Sequence, residues 1–171
     1  MKPHLLLAAL LLIAIATATA PATIAHAAEP VAAPTFAGTT LEGQRYDLGA
    51  RRGRVVMAVL WRSDCPVCID KLPELRANAQ GWKTAPLDLV LINLDTSKSD
   101  AQTYERLRRQ VAPGEQSVYS FWQGEVQLPA AWRTADRLPH TLIIDRDGKV
   151  AATFQGRIPP GAWNQVADLL P

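Results

Sequence analysis

The chain has 171 residues and carries 18 Lys and Arg against 16 Asp and Glu, a formal net charge of +2. That near-balance gives no support for nucleic-acid binding, which draws on a strong positive field. Two cysteines in a chain of this length exclude a disulfide scaffold as the source of stability, because such a domain buries about two-thirds of its unfolded surface.

Lys2 and His4 start the chain, and Leu5–Ala16 follows as an unbroken apolar run. Ala25-His26-Ala27 fits a small-x-small cleavage site, so residues 1–27 read as a signal peptide. Ala18-Thr19-Ala20 also fits, but it would leave Pro21 first in the mature chain. The competing reading is an uncleaved anchor, since Leu5–Ala25 is 21 residues without a charge. Both readings export the domain, to a periplasm or the outer face of a membrane. Removing 27 of 171 residues leaves 144, one domain, and the loss of Lys2 brings the net charge to +1. His140 is then the one histidine of the mature chain.

Residues 28–34 read as a linker before a domain at 35–171. Phe36–Leu48 carries a Leu41–Gln44 turn between two short extended pieces and reads as a hairpin. Val55–Trp61 reads as a buried central strand. Val67–Ala79 reads as a helix that Pro73 interrupts. Leu87–Asn93 is a second buried strand. Ser99–Val111 is an amphipathic helix with Ser97 or Ser99 as its cap and Pro113-Gly114 as its stop. Ser117–Tyr119 is a short strand and Val126–Arg133 a short helix. Thr141–Ile144 and Val150–Phe154 flank an Asp147-Gly148 hairpin turn, and a Gly161–Leu170 helix closes the chain. Alternating strands and helices imply parallel pairing of the first two central strands, and the closing hairpin adds antiparallel ones. Arg51–Arg54 and Arg106–Arg109 are the basic clusters, and both read as solvated faces.

Cys65-Pro66-Val67-Cys68 sits where the first central strand turns into a helix. Unpaired N–H groups and the helix dipole at that end favour a thiolate on the first sulfur. A structural staple is the weaker reading, because a bridge across two residues removes little unfolded-state entropy. A metal site lacks a second Cys-X-X-Cys to complete four ligands. The pair therefore reads as a dithiol for thiol–disulfide exchange.

From about Ala33 to the C-terminus the pattern resembles the thioredoxin superfamily, in its exported TlpA/ResA-like branch. The match rests on Ala33–Phe36, Leu41–Gln44, Trp61–Cys68, Pro73-Glu74-Leu75, Leu138–Thr141, Ile144–Gly148 and Gly156. The resemblance implies an α/β thioredoxin fold, a mixed central sheet flanked by helices, with an N-terminal β-hairpin extension. It implies that Cys65 is the nucleophile and that Cys68 resolves the mixed disulfide. Pro66 suits the first helical turn, where its missing N–H is no loss. Pro139 resembles the family's cis-proline, and Leu138 before it then offers backbone to a substrate. Trp61, Pro66 and Val67 complete the substrate-facing set, with a purely core role for Trp61 as its alternative.

The sequence departs from the family at several positions. The acidic residue that thioredoxins place six positions before the first cysteine is Val59 here, so the proton of Cys68 goes to water. Asp64 precedes Cys65 and opposes its thiolate, with Arg62 as an offset. His140 follows Pro139, where threonine is common. It reads as a proton shuttle or third metal ligand, or as a hydrogen-bonded strand-start residue pointing away from the site, and the second reading is preferred.

The function implied is an exported thiol–disulfide oxidoreductase with no cofactor beyond its redox-active disulfide. It would reduce cysteines of other exported proteins, as in cytochrome c or metalloprotein maturation, and be recharged by a membrane thiol donor. The alternative is a copper chaperone holding Cu(I) with both thiolates and His140, although related copper carriers space their cysteines by three residues. A peroxidase of the peroxiredoxin type needs a threonine three positions before the cysteine, where Arg62 stands.

Overall fold

The computed structural model of the protein describes residue 33 and residues 35–171. The expected signal or anchor at 1–27 and nearly all of the 28–34 linker lie outside the described residues. Two short strands, β1 (Ala37–Thr39) and β2 (Arg45–Asp47), pair antiparallel as a separate hairpin. The Thr40 hydroxyl accepts the Gln44 N–H at 3.1 Å across the turn, and Gly43 takes the positive φ of 83° that it needs.

β3 (Val55–Trp61) and β4 (Leu87–Asn93) are buried at all seven positions. Continuous apolar strands suit a parallel pair covered on both faces. They pair in parallel from Val55–Leu87 to Trp61–Asn93. β5 (Val118–Trp122) adds to β4 in parallel, while β6 (His140–Ile144) and β7 (Val150–Gln155) add antiparallel beyond β3. The sheet order is β5-β4-β3-β6-β7. The helices are α1 (Pro66–Gly81), α2 (Lys98–Val111), the short α3 (Ala130–Arg133) and α4 (Ala162–Leu169).

Strand alternation divides the core into two clusters. Val55, Met57, Val59 and Trp61 lie on one face with Cys68, Leu72 and Leu75 of α1 and Val166 of α4. Val56, Ala58 and Leu60 lie on the other with Phe36 and Tyr46 of the hairpin, Phe121 and Trp132.

Several elements differ from expectation for identifiable reasons. α1 runs through Pro73 without interruption, held by fully buried Leu72 and Leu75 on either side of it. The expected Val126–Arg133 helix contracts to Ala130–Arg133. The hairpin takes the backbone before it: Val126 bridges Gly38, and the Gln127 N–H donates to the Ala37 carbonyl at 3.0 Å. Gly38 allows that approach, because a Cβ there would lie 2.5 Å from the Glu125 carbonyl oxygen. β5 extends to Trp122 because its pairing with β4 continues to Asn93.

The basic clusters are not simply solvated. Arg54 donates to the buried Asp88 carboxylate at 2.8 Å, and Arg51 lies over the Tyr46 ring at 4.5 Å. Arg108 donates to buried Glu105 at 2.9 Å. Burying Asp88 and Glu105 without these partners would be costly, so the arginines are recruited by the acids beneath them.

Candidate active site

The first turn of α1 explains the local geometry of the cysteine pair. Cys65 caps the helix in an extended conformation, and Pro66 takes the first helical position. The Cys68 N–H points at the Cys65 sulfur, 3.2 Å away, and the Ile69 N–H donates to the Cys65 carbonyl at 3.1 Å. Cys65 and Cys68 are joined as a disulfide, with Cα atoms 5.2 Å apart. The two sulfurs stand in different surroundings. Cys65 is half-buried at the rim of the core cluster, and Cys68 is 1% exposed within it. An attacking sulfur can reach Cys65 and not Cys68. In the reduced state, the helix N-terminus and the Cys68 N–H favour negative charge on Cys65.

The loop before Cys65 is tied down from two sides. Arg62 grips Asp64 through Nε and Nη2, both at 2.9 Å, which directs the carboxylate toward a guanidinium beside the first cysteine. Asp95, only 4% exposed, accepts the Ser63 N–H at 3.0 Å and the Asn93 side-chain amide at 2.9 Å. Its own carbonyl accepts from the Trp122 indole at 2.8 Å. Asp95 is thus a buried peg that fixes the cysteine loop against the end of β4. Asp95 is not among the site residues expected from the sequence. The available signal was an acid directly after an apolar strand, at the same sheet end as the cysteines.

The register of β6 separates His140 from the disulfide. His140 pairs with Leu60, and Thr141 pairs with Val59. Directly opposed residues of an antiparallel pair share a face. His140 therefore lies on the hairpin face with Leu60, and Thr141 lies on the disulfide face with Val59. Burial pushes the His140 pKa down. Its Nδ1 is buried with no partner among the described residues. Thr141 is fully buried, and its hydroxyl is likewise without a partner there. Among the described residues, no group of three or more His, Cys, Asp or Glu gathers to hold a metal ion.

The remaining expected residues separate by exposure. Pro66 is exposed and Val67 half-buried beside Cys65. Trp61 is 1% exposed and packs on Tyr104 with ring centroids 4.7 Å apart, so its side chain supports the site from beneath and is covered from a substrate. Leu138 is half-buried and packs against the cluster that holds Cys68. The Leu138–Pro139 peptide bond is cis, and the Pro139 carbonyl accepts the Gly156 N–H at 2.9 Å.

With this geometry the chain is similar to known proteins across most of its length. The profile of the Redoxin family matches residues 27–170. The thiol-disulfide oxidoreductase ResA of Bacillus cereus (strain ATCC 10987) is 24% identical over 128 residues, covering 72% of this chain and 68% of that one. A candidate thiol:disulfide interchange protein DsbE from Chlorobium tepidum superposes with a TM-score of 0.67 at 26% identity, over 82% of this chain and 96% of its own. The exposed lipoprotein thioredoxin Etrx1 of Streptococcus pneumoniae shares the fold, with a TM-score of 0.58 at 17% identity over 79% of this chain and 98% of its own.

Proposed function

The chain belongs to the Redoxin family, as a TlpA/ResA-like member of the thioredoxin superfamily, and on that premise we propose that it is an exported thiol–disulfide oxidoreductase that reduces other exported proteins. The observation that carries this reading is the asymmetric pair at the start of α1, with Cys65 at the rim and Cys68 sealed in the core.

In the reduced protein, the Cys65 thiolate attacks one sulfur of a substrate disulfide. A Cys65–substrate bond forms, the substrate S–S bond breaks, and one substrate thiolate leaves. Cys68, deprotonated, then attacks the Cys65 sulfur. The Cys65–Cys68 disulfide forms, the second substrate thiolate leaves, and two electrons have passed to the substrate. Val59 and Thr141 lie on the disulfide face and neither is a base, so the Cys68 proton goes to water. Leu138 and Pro139 present the neighbouring backbone to the incoming chain, with Pro66 and Val67 on the helix side. A membrane thiol donor restores the dithiol, and no further cofactor enters the cycle.

Export rests on the uncharged Leu5–Ala25 run and the Ala25-His26-Ala27 site. Among the described residues, no helix is long and apolar enough to cross a membrane. The pairing of His140 with Leu60, on the sheet face opposite Val59, counts against the copper reading.

Insulin reduction tests the mechanism. Reduced wild-type protein should precipitate insulin chains, Cys65→Ser should not, and Cys68→Ser should stall as a mixed disulfide. Activity retained by Cys65→Ser would end the reading. The direction is set by the midpoint potential of the pair. A value near ~−270 mV marks a reductant and one near ~−120 mV an oxidant that would reverse the proposed flow.

A further inference from the structure

A groove of about 560 Å³ runs between α1 and α2. Ile69, Pro73 and Ala77 line it from α1, and Tyr104, Leu107 and Val111 from α2. Leu107 and Val111 are 56% and 87% exposed, and they are the exposed large apolar side chains among the described residues. Both lie in this one groove, and clustered exposed apolar surface marks a contact site more often than isolated residues do. The charges at its polar end cancel: Arg76 and Arg108 both pair with Glu105 and with Glu115. The groove therefore offers nothing to select a charged segment.

Its position relative to Cys65 identifies the occupant. Ile69 and Pro73 follow Cys65 at four-residue steps, so they continue its side of the helix about 6 and 12 Å along the axis. A polypeptide joined to Cys65 by a mixed disulfide must cross adjoining surface. Ala77 and Gln80 carry the lining on to about 18 and 22 Å, so at about 3.3 Å per extended residue the groove spans two to seven residues from the bonded cysteine.

We propose that this groove seats an uncharged aliphatic side chain of the substrate polypeptide, two to seven residues from its exchanging cysteine. The proposal rests on the exchange reading at Cys65 given above. It makes Leu107 and Val111 specificity determinants for the sequence around a substrate disulfide.

The test compares two synthetic peptide disulfides, with leucines or serines at both the third and the sixth residue from the cysteine, and uses oxidised glutathione as a substrate too small to span the groove. The reduced protein and the surface double variant L107S/V111S are assayed on all three. Wild type should prefer the leucine peptide by about tenfold in kcat/KM, carried by KM, the equivalent of burying about half a leucine side chain. The double variant should reduce both peptides at the serine-peptide level and glutathione disulfide at the wild-type rate. Equal rates for the two peptides in wild type, or a preference that survives in the variant, overturn the groove. A wild-type dimer that the variant dissolves, with peptide preference unchanged, assigns the groove to a second copy and also overturns it. If Cys65→Ser still reduces glutathione disulfide, the exchange reading itself has failed, a result distinct from loss of the peptide preference.

Discussion

The two faces of the central sheet are packed by different means. The disulfide face is largely aliphatic and is covered by α1 and α4. The hairpin face is aromatic: Phe36 lies 5.7 Å from Tyr46 and 6.1 Å from Phe121 between ring centroids, and 5.7 Å from Trp132. The hairpin has few backbone ties to the main sheet, so large rings must fasten it. On the other face, a helix is pressed onto a smooth aliphatic bed, with its N-terminal turn left at the rim. One face stabilises the domain, and the other holds a reactive pair in place while staying dry beneath it.

That division can be broken most sharply at the cysteines. Cys65→Ser should lower disulfide reductase activity to background while the unfolding midpoint hardly moves, since a two-residue loop contributes little chain entropy. A large stability loss would make the disulfide a structural element. The complementary change is Phe36→Ala on the hairpin face. It should cost about 3–5 kcal/mol in urea unfolding, with activity per folded molecule retained. If activity falls in proportion, the faces are coupled.

Asp95 lies between the two roles. Asp95→Ala strands the Ser63 N–H and the Asn93 amide, a loss of about 1–3 kcal/mol by denaturant unfolding. It should also lower kcat, because the cysteine loop loses its peg. Unchanged kcat would make Asp95 purely structural. Tyr46→Phe is a smaller probe of the hairpin face, removing the 3.3 Å hydrogen bond to Asp88. The expected loss is about 0.5–1.5 kcal/mol at neutral pH. Burial and Asp88 raise the Tyr46 pKa. The unfolded tyrosine ionises first, so wild type should lose stability as pH rises above about 10. The Phe variant should lose less over that range.

His140 gives the smallest effect and sharpens the assignment of faces. Burial lowers its folded pKa below 6.5. The unfolded chain then takes up the proton first, so stability should be complete above about pH 6.5 and fall on acidification toward the folded value. His140→Gln should flatten that slope in pH-dependent unfolding and leave the pH profile of insulin reduction unchanged. A shifted activity profile would place His140 in the chemistry despite its face.

Much of this was legible because it is local. Val55–Trp61 declares itself as an unbroken apolar run and Leu87–Asn93 as an apolar run broken only by Asp88 before its terminal Asn93, and both strands keep the bounds read from the sequence. The start of α1 was readable from a Cys-Pro dipeptide after a strand, although the helix continues through Pro73. The short Val126–Arg133 helix was misjudged because a distant hairpin, not local propensity, occupies the backbone of Val126 and Gln127. Asp95 and Arg76 were missed for a related reason. A charged residue reads as solvated until the acid or amide buried against it is known, and Arg76 is 3% exposed against Glu105.

By itself the amino-acid order determined the two central strands, the helix that begins at the cysteine pair, and the family those features resemble. Each follows from spacing along a few residues, through side-chain periodicity or turn chemistry. Tertiary structure alone decided which face His140 takes, which buried acids the arginines cover, and that Leu107 and Val111 share a groove with Ile69 and Pro73. These depend on strand register and helix placement between segments far apart in the chain. A shift of one residue in β6 would put His140 on the disulfide face in place of Thr141.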